Sequence, residues 1–155
     1  MDNNKKILMV CLGNICRSPL AEGIMQKLSN DKKLNWKVDS AGTGGWHVGE
    51  SPHVGSINIA KKHGIDISKQ KARQFNKRDF DVFDEIYVMD EENYKDIIRL
   101  TTNEIHAKKV KYLLSAANMM EQNVPDPYYT NKFEDTYNLI FSACKTIISS
   151  KTALN

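Results

Sequence analysis

The stretch ILMVCLGNICRSPL, residues 7–20, carries the reading of the whole chain. An unbroken apolar run at 7–10 leads into two cysteines, a glycine, an arginine and a serine. Such a short continuous run predicts a strand buried on both faces. Behind it, Ser18 can cap a helix, Pro19 suits a first helical position, and Leu20, Ile24 and Leu28 recur at helical spacing. A strand–turn–helix unit opens the chain, and residues 11–18 are its turn.

The rest of the sequence repeats that alternation. Strand-like runs occupy 36–40, 85–89 and 109–114, and helical patterns 54–63 (stopping at Gly64) and 90–100. A glycine-rich loop fills 41–52. In the last helix Phe133, Tyr137, Ile140, Phe141, Cys144, Ile147 and Ile148 share one face, so Cys144 reads as a core residue. Strands alternating with helices predict an α/β fold with a parallel sheet covered on both sides. Ligands of such sheets bind beyond the carboxyl ends of the strands, where residues 11–18 would lie.

The 155 residues suit one domain over 1–155. Net charge is +3, from 22 basic and 19 acidic residues, too balanced to point to nucleic acid or a membrane surface. No window approaches a membrane span, and the first residues, MDNNKK, lack a leader's apolar core, so a cytoplasmic protein is expected. Three cysteines, an odd number expected in a reducing compartment, argue against a disulfide framework, and no Cys/His set has zinc spacing.

The turn can be read chemically. Successive N–H groups between a strand and a helix form an anion nest, and the helix N-terminus adds partial positive charge. Gly13 gives the turn conformational freedom, and Arg17 offers a planar fork for two phosphate oxygens. The same positive environment favours a thiolate at Cys11, placed for attack on phosphorus. Ser18 can hydrogen-bond that sulfur, and Asn14 can pin the loop to the backbone. Cys16 is either a small buried residue or a thiol able to trap oxidised Cys11.

A leaving oxygen needs an acid, and VPDPYY at 124–129 supplies one: Asp126, held between Pro125 and Pro127. Tyr128 and Tyr129 offer flat walls for an aromatic substrate. Trp46, in the glycine-rich loop, either lines the same slot or anchors the loop; His47 has no evident role.

The segments CLGNICRSP, SAGT and the late DPYY, in that order across nearly the whole chain, resemble the low-molecular-weight protein tyrosine phosphatases. The resemblance implies a four-stranded parallel sheet flanked by helices, with a phosphate-binding loop of Leu12, Gly13, Asn14, Ile15, Cys16, Arg17 and Ser18 after the first strand. It implies Cys11 as nucleophile, Arg17 as the phosphate and transition-state ligand, and Asp126 as general acid. It further implies Trp46, Tyr128 and Tyr129 in the substrate cleft, no metal or cofactor, and phosphotyrosine-containing proteins as partners of a monomer. Inorganic phosphate or a similar oxyanion would occupy the site. One departure is KQKARQ, residues 69–74, which puts Gln70 where some members carry a loop-bracing histidine. Arsenate reductases of similar fold need further cysteines between Cys16 and Cys144, and this chain has none there. Protein-arginine phosphatases tend to have threonine in place of Ile15 and lack the tyrosine pair. A phosphate-binding module without turnover is the alternative from another class; retention of Cys11, Arg17 and Asp126 argues against it.

Overall fold

A computed structural model describes residues 4–152; the start of the segment read as lacking a leader lies outside them. Four strands, β1 (Lys5–Cys11), β2 (Trp36–Gly42), β3 (Glu85–Val88) and β4 (Val110–Tyr112), form a parallel sheet in the order β2-β1-β3-β4. The helices are α1 (Arg17–Asp31), α2 (Val54–Lys62), α3 (Asp79–Val82), α4 (Glu91–Ile98), α5 (Glu104–Lys108), α6 (Leu113–Ala116), α7 (Pro127–Thr130) and α8 (Phe133–Thr152). This is the expected α/β architecture.

Side chains alternate across each strand, so the sheet divides the buried apolar residues between its faces. Ile7, Met9, Cys11, Tyr87 and Met89 pack with Leu20 and Ile24 of α1 and with Ile140, Cys144 and Ile147 of α8. Leu8, Val10, Ile86 and Val88 pack with Phe75, Phe80, Phe83 and Ile97 on the other face. Residues 7–10 are fully buried, because helices and loops cover both faces.

The chain leaves β1 toward β2 and then returns past β1 to build β3 on its other edge. The strand order therefore reverses between β1 and β3, opening a crevice beyond their carboxyl ends. Cys11 ends β1 there, and Asp90 follows β3.

Several local expectations shift. Helix α1 starts at Arg17 with Cys16 as its N-cap, so Pro19 is the third helical residue and Ser18 the second. Ser18 is not the cap, because its hydroxyl is committed to Cys11 and Asn14. β2 runs on to Gly42, two residues past its expected end, because it pairs with β1 as far as Cys11. Asp90 lies outside α4 and caps it, accepting from the Asn93 N–H at 2.8 Å. β4 stops at Tyr112, where the chain turns into α6. No helix among the described residues is long and apolar enough to cross a membrane.

Candidate active site

The turn after β1 is shaped by where its carbonyl groups go. Cys11 O accepts from Thr43 N, Leu12 O from Gly44 N and Ile15 O from His53 N, at 2.8–2.9 Å. Cys16 O accepts from the Ser56 hydroxyl at 3.1 Å. These four carbonyls are thus tied to outer segments. A peptide's N–H and C=O point in opposite directions, so the amides turn toward the inside of the loop. Among the described residues the N–H groups of Gly13, Asn14, Ile15 and Cys16 donate to no protein acceptor. The N-cap of α1 likewise has no side-chain hydrogen bond. The result is a ring of free donors at a helix N-terminus, with the Cys11 side chain among the residues lining the pocket.

Asn14 holds the loop's shape. It is buried with φ +58, a left-handed conformation that Asn tolerates better than most residues. Its Nδ2 donates to Ser18 Oγ (2.8 Å) and Ser40 Oγ (2.9 Å), and its Oδ1 accepts from Arg73 N (3.0 Å). Ser18 Oγ lies 3.0 Å from Cys11 Sγ. The SAGT segment is now explicable. Ser40 braces Asn14, Ala41 fills the core, Gly42 lies against the loop backbone, and Thr43 holds the Cys11 carbonyl. Gln70 takes no part in this brace: its Nε2 donates to Pro19 O at 3.1 Å, steadying the first turn of α1 instead.

Arg17 is 2% exposed and anchored by one nitrogen. Nη1 donates to Asp90 Oδ2 (2.7 Å) and to Val124 O (2.9 Å), while Nη2 reaches Asp126 Oδ2 at 3.4 Å. Nε is buried without a partner. The edge formed by Nε–H and Nη2–H is therefore the part of the fork left for an oxyanion. Burial works against the guanidinium charge, but Cys11, Asp126 and Asp90 outweigh it and hold its pKa above the ordinary value. Asp90 escaped the sequence reading. Its only signal was its place directly after a strand, at the start of a helix.

Asp126 caps α7: its Oδ1 accepts from Tyr128 N at 3.0 Å, which fixes the carboxyl on the loop and leaves Oδ2 toward Arg17. A pocket of about 270 Å³ joins Cys11, Leu12, Gly13, Ile15, Cys16, Trp46, His47, Asp126, Tyr128 and Tyr129. Trp46 is 71% exposed, so it stands at the pocket's rim with its ring over Gly44 and does not anchor the loop in the core. Tyr128 and Tyr129 are exposed and edge-on, 5.2 Å between ring centres. His47, unassigned from sequence, lies over Gly13 and bonds Glu50 at 3.0 Å. Cys16 is buried and free; burial first, then Asp126 and Cys11, push its thiol up to about 12. Cys144 is fully buried in the core. Among the described residues no group of three or more His, Cys, Asp or Glu could hold a metal ion.

An amide-lined anion cradle with a thiol, a buried arginine and a carboxyl at its mouth defines the class of cysteine-dependent phosphoryl-transfer proteins. Residues 6–154 match the family described as low molecular weight phosphotyrosine protein phosphatase, and the chain belongs to it. The low molecular weight protein-tyrosine-phosphatase YfkJ of Bacillus subtilis is 41% identical over 148 residues, covering 93% of this chain and 94% of that one. The corresponding PtpA of Staphylococcus aureus is 43% identical over 143 residues, covering 92% and 90%. The crystal structure of YfkJ superposes with a TM-score of 0.91 at 40% identity, over 97% of this chain and 96% of that one. A Drosophila arginine phosphatase superposes with a TM-score of 0.87 at 31% identity, over 94% and 97%.

Proposed function

We propose that this protein hydrolyses phosphotyrosine esters, and small aryl phosphates, through a phosphocysteine intermediate. The single observation that carries the reading is the loop after β1: the carbonyls of Cys11, Leu12, Ile15 and Cys16 are tied outward, the N–H groups of Gly13, Asn14, Ile15 and Cys16 have no protein acceptor among the described residues, and the buried Nε of Arg17 is without a partner. Those donors match the equatorial oxygens of a phosphoryl group in flight. Cys11 Sγ attacks in line, forming the S–P bond as the P–O bond to the aryl group breaks. Asp126 gives its proton to the departing aryl oxygen. Water then attacks phosphorus, its proton passes to Asp126, and the S–P electron pair returns to sulfur. Ser18, 3.0 Å from that sulfur, can hydrogen-bond the thiolate. Trp46, Tyr128 and Tyr129 accommodate the flat ring of the substrate.

The partners on this reading are phosphotyrosine-containing proteins and, in the emptied site, inorganic phosphate. We further read the chain as a single phosphatase domain over 1–155, a cytoplasmic monomer that binds neither nucleic acid nor membrane.

The test is a panel of phosphotyrosine, phosphoserine and phosphoarginine substrates, with Cys11→Ser and Asp126→Ala beside the wild type. Phosphotyrosine should be preferred, and Cys11→Ser should bind phosphate without turnover. Tyrosine is a poor leaving group, with a conjugate acid of pKa near ~10, so it needs protonation more than a nitrophenolate does. Asp126→Ala should therefore slow phosphoenzyme formation from phosphotyrosine by about 10²–10⁴-fold, and from nitrophenyl phosphate by less. Equal slowing across leaving groups would take the acid role from Asp126, and preference for phosphoarginine would overturn the substrate assignment.

A further inference from the structure

The brace that holds Asn14 does not end at Ser40. Ser40 Oγ, accepting from Asn14 Nδ2, donates its own proton to Glu22 Oε1 at 2.7 Å. Glu22 lies on α1, partly buried, at a groove lined by Gln26, Asn30 and Gln70 that shares no residue with the active-site pocket. The hydrogen bonds have one consistent direction. The Asn14 amide NH2 can only donate, so Ser40 accepts from it and has its own single proton free for Glu22. Asn14, with Nδ2 turned to both serines, supplies the proton that Ser18 Oγ accepts. Ser18 is then left with its own proton for the sulfur of Cys11.

We propose that Glu22 is a positioning residue for phosphoryl transfer: its carboxylate terminates the Ser40–Asn14–Ser18 chain that aims a hydroxyl proton at Cys11, and protonating it loosens that aim. The inference rests on the reading of Cys11 as nucleophile. A carboxylate is a stronger acceptor than a carboxylic acid, so the ionised form holds Ser40, and through it Asn14, more firmly. Burial, with Asp39 adding to it, pushes the Glu22 carboxyl up to about 7, against the Ser40 hydrogen bond and Arg73. Arg73 and Lys27, basic groups near it, have acidic partners of their own. Arg73 pairs with Asp39 and Asp79, and Lys27 with Asp31. Asp66 and Lys69 face the groove from the segment after α2. A change of charge at Glu22 is carried to the loop through Ser40 and Asn14.

Glu22→Gln keeps the acceptor shape but stays neutral at every pH. The experiment measures kcat/KM for nitrophenyl phosphate in both proteins from acidic to mildly basic pH. Below pH ~6 the two should agree, and above pH ~8 the wild type should exceed the variant by about three- to tenfold, the worth of one charge-assisted hydrogen bond over a neutral one. A ratio that does not change with pH would reduce Glu22 to packing and overturn the proposal. A second measurement is independent of turnover: the side-chain amide NMR signals of Asn14, in a Cys11→Ser background. They should shift with a midpoint near that of Glu22 and lose that step in Glu22→Gln; identical titration in both proteins also overturns it. A wild type without aryl phosphatase activity would instead refute the reading of the site, and the NMR titration would still decide the chain of bonds.

Discussion

Replacing Gly42 by alanine tests how tightly the phosphate-binding loop is held in place. A Cβ at this position would stand 2.8 Å from Leu12 O, 3.1 Å from Asn14 N and 3.1 Å from Gly13 C. Neither side can give way easily. Gly42 is locked in β2 opposite Cys11, with its N–H on Arg73 O and its carbonyl on Phe75 N. Leu12 O is held by Gly44 N at 2.9 Å. To reach ordinary van der Waals contact the Leu12 carbonyl must retreat by roughly 0.6 Å, carrying the anion-binding amides with it. Misplacement by about 1 Å can lower a rate by about 10²-fold, so a loss in kcat of about tenfold is expected, with about 1–3 kcal/mol of destabilisation from overpacking. The control is Gly64→Ala at the end of α2, where φ is +79 and no atom lies within 4 Å of the added carbon. That variant should lose stability through backbone strain alone and keep its kcat. Steady-state kinetics on nitrophenyl phosphate and thermal melts separate the two effects. A Gly42→Ala protein with kcat within about twofold of wild type would show that the loop tolerates displacement and refute the reasoning.

Asp90→Ala should lower kcat/KM by about 10–100-fold, because the buried Arg17 loses its 2.7 Å partner. Asp90→Asn should retain the α4 cap and most of the stability while still impairing kinetics, which melts and kinetics together would show. Glu22→Gln should stabilise the protein in neutral and basic solution. The folded pKa of Glu22 lies above its ordinary value of 4.5, at about 7, so the native state is favoured fully below the lower value and loses that advantage as pH rises through the higher. The variant escapes a loss on the order of 3 kcal/mol, so stabilities should coincide below pH ~4.5, separate progressively up to pH ~7 and stay apart above it; a difference that does not change with pH would remove the buried-charge explanation. Mild peroxide should inactivate the protein reversibly through a Cys11–Cys16 disulfide, since both thiols are free on one short loop, and mass mapping that finds Cys16 unmodified would exclude it.

The parts legible from sequence were those governed by local pattern. The apolar run at 7–10, the face of α8 and the spacing from Cys11 to Arg17 all announce themselves within a few residues. The sheet and the position of the anion loop followed from them. What stayed hidden depends on partners far apart in the chain. Ser18 looked like a helix cap because serine before proline normally is one; its bond to the Cys11 sulfur was readable from the loop's chemistry, but not that Asn14 would donate to the same hydroxyl and that Cys16 would be the N-cap. Asp90 lies 73 residues from the arginine it holds, and no periodicity records that contact. The short helices α3, α5, α6 and α7 span four or five residues, too few for a 3.6-residue period to emerge. His47 is placed by the path of a loop that local signals do not determine.

The bond from Arg17 Nη1 to Val124 O spans 107 residues. It gives the site a history as well as a geometry. As the chain is synthesised, Cys11 and Arg17 emerge first and wait for the segment that carries Val124 and Asp126. Until that segment docks, the guanidinium lacks the carbonyl that fixes its orientation, and the pocket lacks its carboxyl wall. A fragment that stops short of Val124 would therefore hold the cysteine and the arginine without the carbonyl that orients the guanidinium or the carboxyl of Asp126.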